Sequence, residues 1–211
     1  KIGDNMFSAS DVKELREKTG AGMLDCKKAL QESEGNMEKA IDWLREKGIS
    51  KAAKKESRIA AEGLSEILVD GNKAVILEIN SETDFVAKNA DFQKFVEDIA
   101  KTIANNAPAD VEELKTLTID GGSQTVGDAL TEKIATIGEN MNIRRFEIVD
   151  GVLSTYIHGH GAIGVVVSFD TDDSVVAKDG FKEFAKNIAL QVAALPTPYI
   201  SKESVPASVI E

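Results

Sequence analysis

VAKNADFQKFVEDIA, residues 86–100, returns as VAKDGFKEFAKNIA at residues 176–189. With a one-residue gap, Phe92, Phe95, Ile99 and Ala100 fall on Phe181, Phe184, Ile188 and Ala189. That spacing puts the apolar residues of each copy on one helix face. Ahead of each copy stand two β-rich runs joined at a glycine turn. LSEILVD (64–70) and KAVILEIN (73–80) flank Gly71-Asn72, and GVLSTYIH (151–158) and AIGVVVSFD (162–170) flank Gly159-His160-Gly161. Both read as β-hairpins. The chain therefore carries an internal repeat of a hairpin-plus-helix unit. A lone hairpin is marginal, so each unit is expected to lean its helix on its sheet and on the other unit. The class is α+β, with a core of two repeated antiparallel hairpin-and-helix subdomains.

Between the first hairpin and its helix lies SETDFVAKNADF, residues 81–92. In one continuous helix from Thr83, Phe85 would sit beside Lys88 and Asn89, both polar. A short turn over residues 83–88 fits better, with Asn89 or Asp91 capping a new helix that carries Phe92. Phe85 then stands on a tight corner. The gapped alignment sets Val175 opposite Phe85 and Ser174 opposite Asp84, so the corner varies where the helix core does not. Two readings stay open. Phe85 folds back as a hydrophobic staple, which its residue type favours, or it is held out for a partner. Asp84 reads as a helix-start acid.

Upstream, residues 8–48 read as three short helices ahead of the α+β core. Ser10 is placed to cap the first, with Val12 and Leu15 on one face. KTGAG (18–22) ends it, because two nearby glycines stop a helix. The second covers residues 23–31, with Met23, Leu24, Cys26, Ala29 and Leu30 available to a core. Gly35-Asn36 breaks it, Asn36 caps the third, and Met37, Ala40, Ile41 and Leu44 recur at helical spacing until Gly48 stops it. A bundle this small is marginal alone and calls for a neighbour or a partner. KAAKKESRIAAEG (51–63) reads as an exposed helical or extended linker whose basic cluster is a solvated face. Residues 108–124 are weakly patterned. GDALTEKIATIGEN (127–140) is a helix, NIRRFEIV (142–149) a strand, and LPTPYI (195–200) breaks the last helix.

The chain has 211 residues and a formal net charge of -11, with 36 acidic against 25 basic residues. Such a balance argues against a general nucleic-acid or membrane-surface binder, because phosphates are repelled. Hydrophobic residues make up 42% and aromatic residues 5%, so the core is expected to be mainly aliphatic. No apolar run is long enough to span a membrane, and residues 1–10 lack the apolar stretch of a signal peptide. Lys1 is not an initiator methionine, and Met6 is a candidate natural start, which makes residues 1–5 a candidate appended remnant. The lone Cys26 suits the cytosol and, on an amphipathic helix, reads as a small buried hydrophobe. No Cys/His cluster suggests zinc.

Several of these segments resemble the bacterial elongation factor Ts family. VKELREKTGAGMLDCKKAL (12–30) is similar to its amino-terminal motif and TDFVAKN (83–89) to its second. IGENMNIRR (137–145) and IHGHGAIGVVV (157–167) follow in the right order. The resemblance covers nearly the whole chain and implies a cytoplasmic guanine-nucleotide exchange factor acting on elongation factor Tu, with no cofactor and no covalent chemistry of its own. It implies a ubiquitin-associated-like module at 8–50, a linker at 51–63, a first core subdomain at 64–150 and a second, incomplete one at 151–211. It assigns Thr83, Asp84, Phe85 and Val86 to a wedge near the partner's magnesium and phosphate site. Arg16, Met23, Leu24 and His158 become partner contacts, although a surface histidine is the alternative for His158 and for His160. The family usually continues into a helical hairpin, a returning strand and a carboxy-terminal helical module, so this chain is expected to be a shortened form.

Two other classes compete. A general adaptor would need only the first 50 residues and would not use Phe85. A hydrolase using His158 or His160 with a carboxylate lacks a nucleophile motif, and TGAGMLDCKK (19–28) lacks the spacing of a phosphate-binding loop. The sequence leaves the oligomeric state open.

Overall fold

The structure, a computed structural model, describes residues 7–195 and 198–210. The candidate start at Met6, the candidate remnant ahead of it, and the helix stop at Pro196 lie outside the described residues.

Three helices open the fold: α1 (Ala9–Thr19), α2 (Met23–Glu32) and α3 (Met37–Ala53). Ser8, not Ser10, caps α1. Its side chain accepts the Asp11 N–H while Asp11 reaches back to the Ser8 N–H, a reciprocal pair that satisfies two orphan donors. Asn36 caps α3 as its sequence position predicts. Gly48 does not stop α3, which runs on to Ala53. Val12, Leu15, Cys26, Ala29, Leu30 and Ala40 form the small core of this module. Met23 and Leu24 stay outside it, 50% and 83% exposed.

The first repeat unit follows. Strands β1 (Glu62–Asp70) and β2 (Lys73–Ser81) pair antiparallel around Gly71-Asn72, and β3 (Met141–Asp150) joins the other edge of β2. Between β2 and β3 the chain forms α4 (Asp84–Ala87), α5 (Ala90–Asn106), α6 (Val111–Thr116) and α7 (Val126–Ile137). The weakly patterned stretch thus holds a short helix, capped by Asp110. Phe92, Phe95, Val96, Ile99 and Ile103 of α5 are buried with Val75, Leu77 and Ile79 of β2 and with Leu130 and Ile134 of α7. The predicted face of α5 is therefore the real one.

The second unit consists of β4 (Val152–His158) and β5 (Ile163–Phe169), paired antiparallel, then α8 (Asp173–Val176) and α9 (Phe181–Ala194). Helix α9 lies on this hairpin. The hairpin in turn packs on the first sheet. A Cβ on Gly164 would meet Ser65 Cβ at 2.9 Å and Ile76 Cδ1 at 3.4 Å, so the two backbones approach at a distance only glycine permits. The first sheet is covered by α5 on one face and by the second hairpin on the other. A final short helix, α10 (Ala207–Ile210), closes the described chain.

The repeat is real, but its register needs no gap. Helix α4 begins at Asp84 and α8 at Asp173, and the same offset relates Phe92 to Phe181. Phe85 therefore stands opposite Ser174, not Val175. The second copy has a polar residue at the position of the ring.

Candidate functional site

Corner formation begins at Thr83. This residue is extended and precedes α4, yet its side chain caps nothing in its own helix. Its hydroxyl instead donates to Glu139 Oε1 at 2.7 Å, and its N–H donates to Glu139 Oε2 at 3.0 Å. Its carbonyl accepts from the Ser81 hydroxyl at 3.0 Å. One residue earlier, the Glu82 carboxylate accepts the Asn140 N–H at 2.6 Å and lies 3.6 Å from the Arg58 guanidinium. Asn140 in turn donates its side-chain amide to the carbonyls of Glu56 and Arg58. Two carboxylates thus tie the start of α4 to the turn between α7 and β3, and from there to the segment after α3.

Over this base α4 divides its side chains. Val86 and Ala87 are buried against the main core, at 6% and 9% exposure. Phe85 is 79% exposed. The staple reading is overturned: a staple would cover the ring, and the ring stands in solvent. Asn89 ends the turn and starts α5, accepting the N–H groups of Asp91 and Phe92. Asp91 is therefore a first-turn acid and not the cap. Asp84 accepts from Lys88 Nζ at 2.6 Å. That lysine, by hydrogen bond and charge, holds the Asp84 carboxyl below its usual range.

The other expected contact residues lie elsewhere. Arg16 is exposed on α1, and Met23 and Leu24 are exposed at the start of α2. His158 is exposed at the end of β4, where its Nδ1 lies 2.9 Å from the Tyr156 hydroxyl. His160 sits in the hairpin turn at φ 55, a left-handed conformation uncommon for a side-chain-bearing residue. These places are not gathered into one pocket. A cleft of about 550 Å³ between the helical module and α7 is lined by Asp25, Lys47, Lys51, Gln124, Asp128 and their neighbours, and by none of the expected contact residues. The exposed groups are held in relation to one another by the framework, since α3 packs on α7 and the turn after α7 holds α4.

Among the described residues, no group of three or more His, Cys, Asp or Glu is placed to hold a metal ion. Nor is any helix among them long and apolar enough to cross a membrane. Cys26 is fully buried, and burial pushes its thiol pKa up, away from nucleophile chemistry. Sequence reasoning missed Glu82 and Glu139. Both lie in otherwise polar turns, and only the fold, which joins residues far apart in the chain, shows what they hold.

Fold and site together define an α+β protein with a fixed apolar tip. Residues 82–211 match the family model for elongation factor Ts. The chain is 50% identical over 211 residues to elongation factor Ts of Syntrophotalea carbinolica, an alignment covering 97% of this chain and 68% of that protein. It is 48% identical over 207 residues to elongation factor Ts of Magnetococcus marinus, covering 97% of this chain and 67% of that protein. The chain belongs to the elongation factor Ts family, a family of translation elongation factors.

Proposed function

We propose that this chain is a cytoplasmic guanine-nucleotide exchange factor that docks on elongation factor Tu and promotes GDP release by disturbing its magnesium and phosphate site. The observation that carries this reading is the exposure of Phe85 on a corner whose base is buried and doubly tied. A ring left in water costs free energy unless something covers it. A ring on a rigid support can transmit force to whatever does.

Magnesium holds its ligands in near-ideal octahedral geometry, so a small displacement of one ligand weakens the site. Phe85, pressed behind a switch element of the GTPase, supplies such a displacement. Asp84, paired through one oxygen with Lys88, is assigned no place among the metal's ligands and serves the wedge as the first-turn acid of α4. Val86 serves the wedge from below as an anchor in the core, and Thr83 fixes its entry. Burying one Phe contributes roughly 1.5–3 kcal/mol. A thousandfold faster release requires about 4 kcal/mol off the barrier. The remainder must come from other contacts that strengthen as the nucleotide leaves, while Arg16, Met23, Leu24 and His158 are the exposed candidates for docking. In this reading residues 8–50 and the second core unit, 151–211, dock, residues 51–63 join the two parts, and the first core unit, 64–150, carries the wedge. The factor needs no cofactor.

Linkage tests the reading. A factor that weakens GDP must itself be weakened by GDP to the same degree. Titration calorimetry of this chain into nucleotide-free elongation factor Tu, and into its magnesium–GDP form, should show much tighter binding to the empty form. Equal affinity for the two forms would refute exchange by this route.

A further inference from the structure

We infer that Glu139 is a positioning residue for exchange, setting the orientation of the Phe85 tip relative to the helical module; this rests on the exchange reading above. Three observations carry it. The Glu139 carboxylate spends both oxygens on one residue, Thr83, taking its N–H and its hydroxyl at 3.0 Å and 2.7 Å. Thr83 is two positions before the exposed ring, and with its carbonyl held by Ser81 each of its polar groups is engaged. Glu139 stands in the turn just past the cap of α7, the helix on which α3 of the helical module packs, with Gly48 close to Ala135. A single side chain therefore joins the tip to the element that seats the module.

The geometry explains why a carboxylate is needed here. A bidentate acceptor fixes both the distance and the rotation of the peptide unit leading into α4. An amide in its place offers one acceptor oxygen, and its NH₂ faces the Thr83 N–H. A hydrophobic residue offers none. Glu82 makes a parallel tie in the opposite direction, from the strand end to the Asn140 N–H. That tie holds the two segments together when Glu139 is lost, so the fold survives while the angle of the tip loosens.

The test is a double-mutant cycle on release of a fluorescent GDP analogue from elongation factor Tu, measured over a concentration series of the full chain. Glu139→Ala is expected to lower the maximal release rate about tenfold and to change the half-saturating concentration less than about threefold. Added to Phe85→Ala, it should lower the rate little further, because a loosened support costs nothing once the wedge is gone. Glu139→Gln should lie between wild type and Glu139→Ala. Circular dichroism melts of each variant identify loss of fold. An unchanged maximal rate in Glu139→Ala would overturn the inference. So would a loss that multiplies with that of Phe85→Ala, or one that appears only as weaker half-saturation. If the unaltered chain gives no acceleration, the exchange reading itself fails first.

Discussion

At the scale of single residues, exposure separates groups that hold the fold from groups left free to meet a partner. Val86 and Phe85 are neighbours, yet one is in the core and the other in water. Residue type alone favours burial for Phe85, because most phenylalanines are core. What decides against it is the placement of the short α4 turn, which buries Val86 and Ala87 and leaves the ring in solvent. Asp25 shows the opposite case, a charged residue that serves the fold. It accepts from Lys47 at 2.5 Å and Lys51 at 2.6 Å, both on α3, and these hydrogen bonds hold its carboxyl below the ordinary carboxylate range. A lowered folded-state pKa means that the unfolded chain binds the proton more readily. The pair's contribution is complete above the unfolded pKa and is lost as pH falls through the folded one. Asp25→Asn should therefore cost about 1 kcal/mol at neutral pH, given partial exposure of the lysines. Thermal melts should show that gap constant from about pH 7 to 5 and closing below about pH 4. A gap that persisted into strong acid would mean that Asp25 acts by packing.

At the scale of elements, the two copies of one sequence pattern show how far local reading reaches. The helix spacing, the hairpins and the Asn36 cap are legible because each depends on residues within a turn of one another, and for α5 the sequence narrows the cap to Asn89 or Asp91, of which Asn89 is the one used. Gly48 was misread because its role depends on a distant helix. Where α3 crosses α7, a side chain would stand 3.6 Å from Ala135, and packing there outweighs the modest helix penalty of one glycine. The repeat likewise has equal sequence and unequal burial. Phe95 is 4% exposed, and its counterpart Phe184 is 55% exposed. The first helix packs on β1 and β2 and shares its core with Leu114 of α6 and Leu130 and Ile134 of α7, whereas α9 among the described residues rests on two strands. The candidate corner stands out by its motif, but the ties from Glu82 and Glu139 span more than fifty residues and leave no periodic trace. The seating of one sheet on the other makes a further claim. Gly164→Val would drive a branched side chain into Ser65 and Ile76 and should destabilise the protein by about 1–3 kcal/mol. Urea unfolding checks this, and an unchanged midpoint would mean that the hairpin can shift aside at no cost.

At the scale of the whole molecule, the account divides labour between docking and displacement. Met23 and Leu24 present an apolar edge on a module that is small for independent stability and leans on α7. Contacts of that kind contribute alike before and during nucleotide release, so their loss raises the half-saturating concentration and leaves the maximal rate in place. Leu24→Ala should behave in this way in a concentration series, and a fall in maximal rate alone would place Leu24 in the displacement step. Phe85 is assigned the converse role, and that assignment is the centre of the account. The most direct measurement is stopped-flow release of a fluorescent GDP analogue from elongation factor Tu, with the unaltered chain and with Phe85→Ala. Since the ring is exposed, its removal should leave stability within about 0.5 kcal/mol. The maximal rate should fall by about tenfold or more, one buried ring's worth of barrier lowering, while binding persists. Equal maximal rates for the two proteins would contradict the account and move the displacing contact away from the tip.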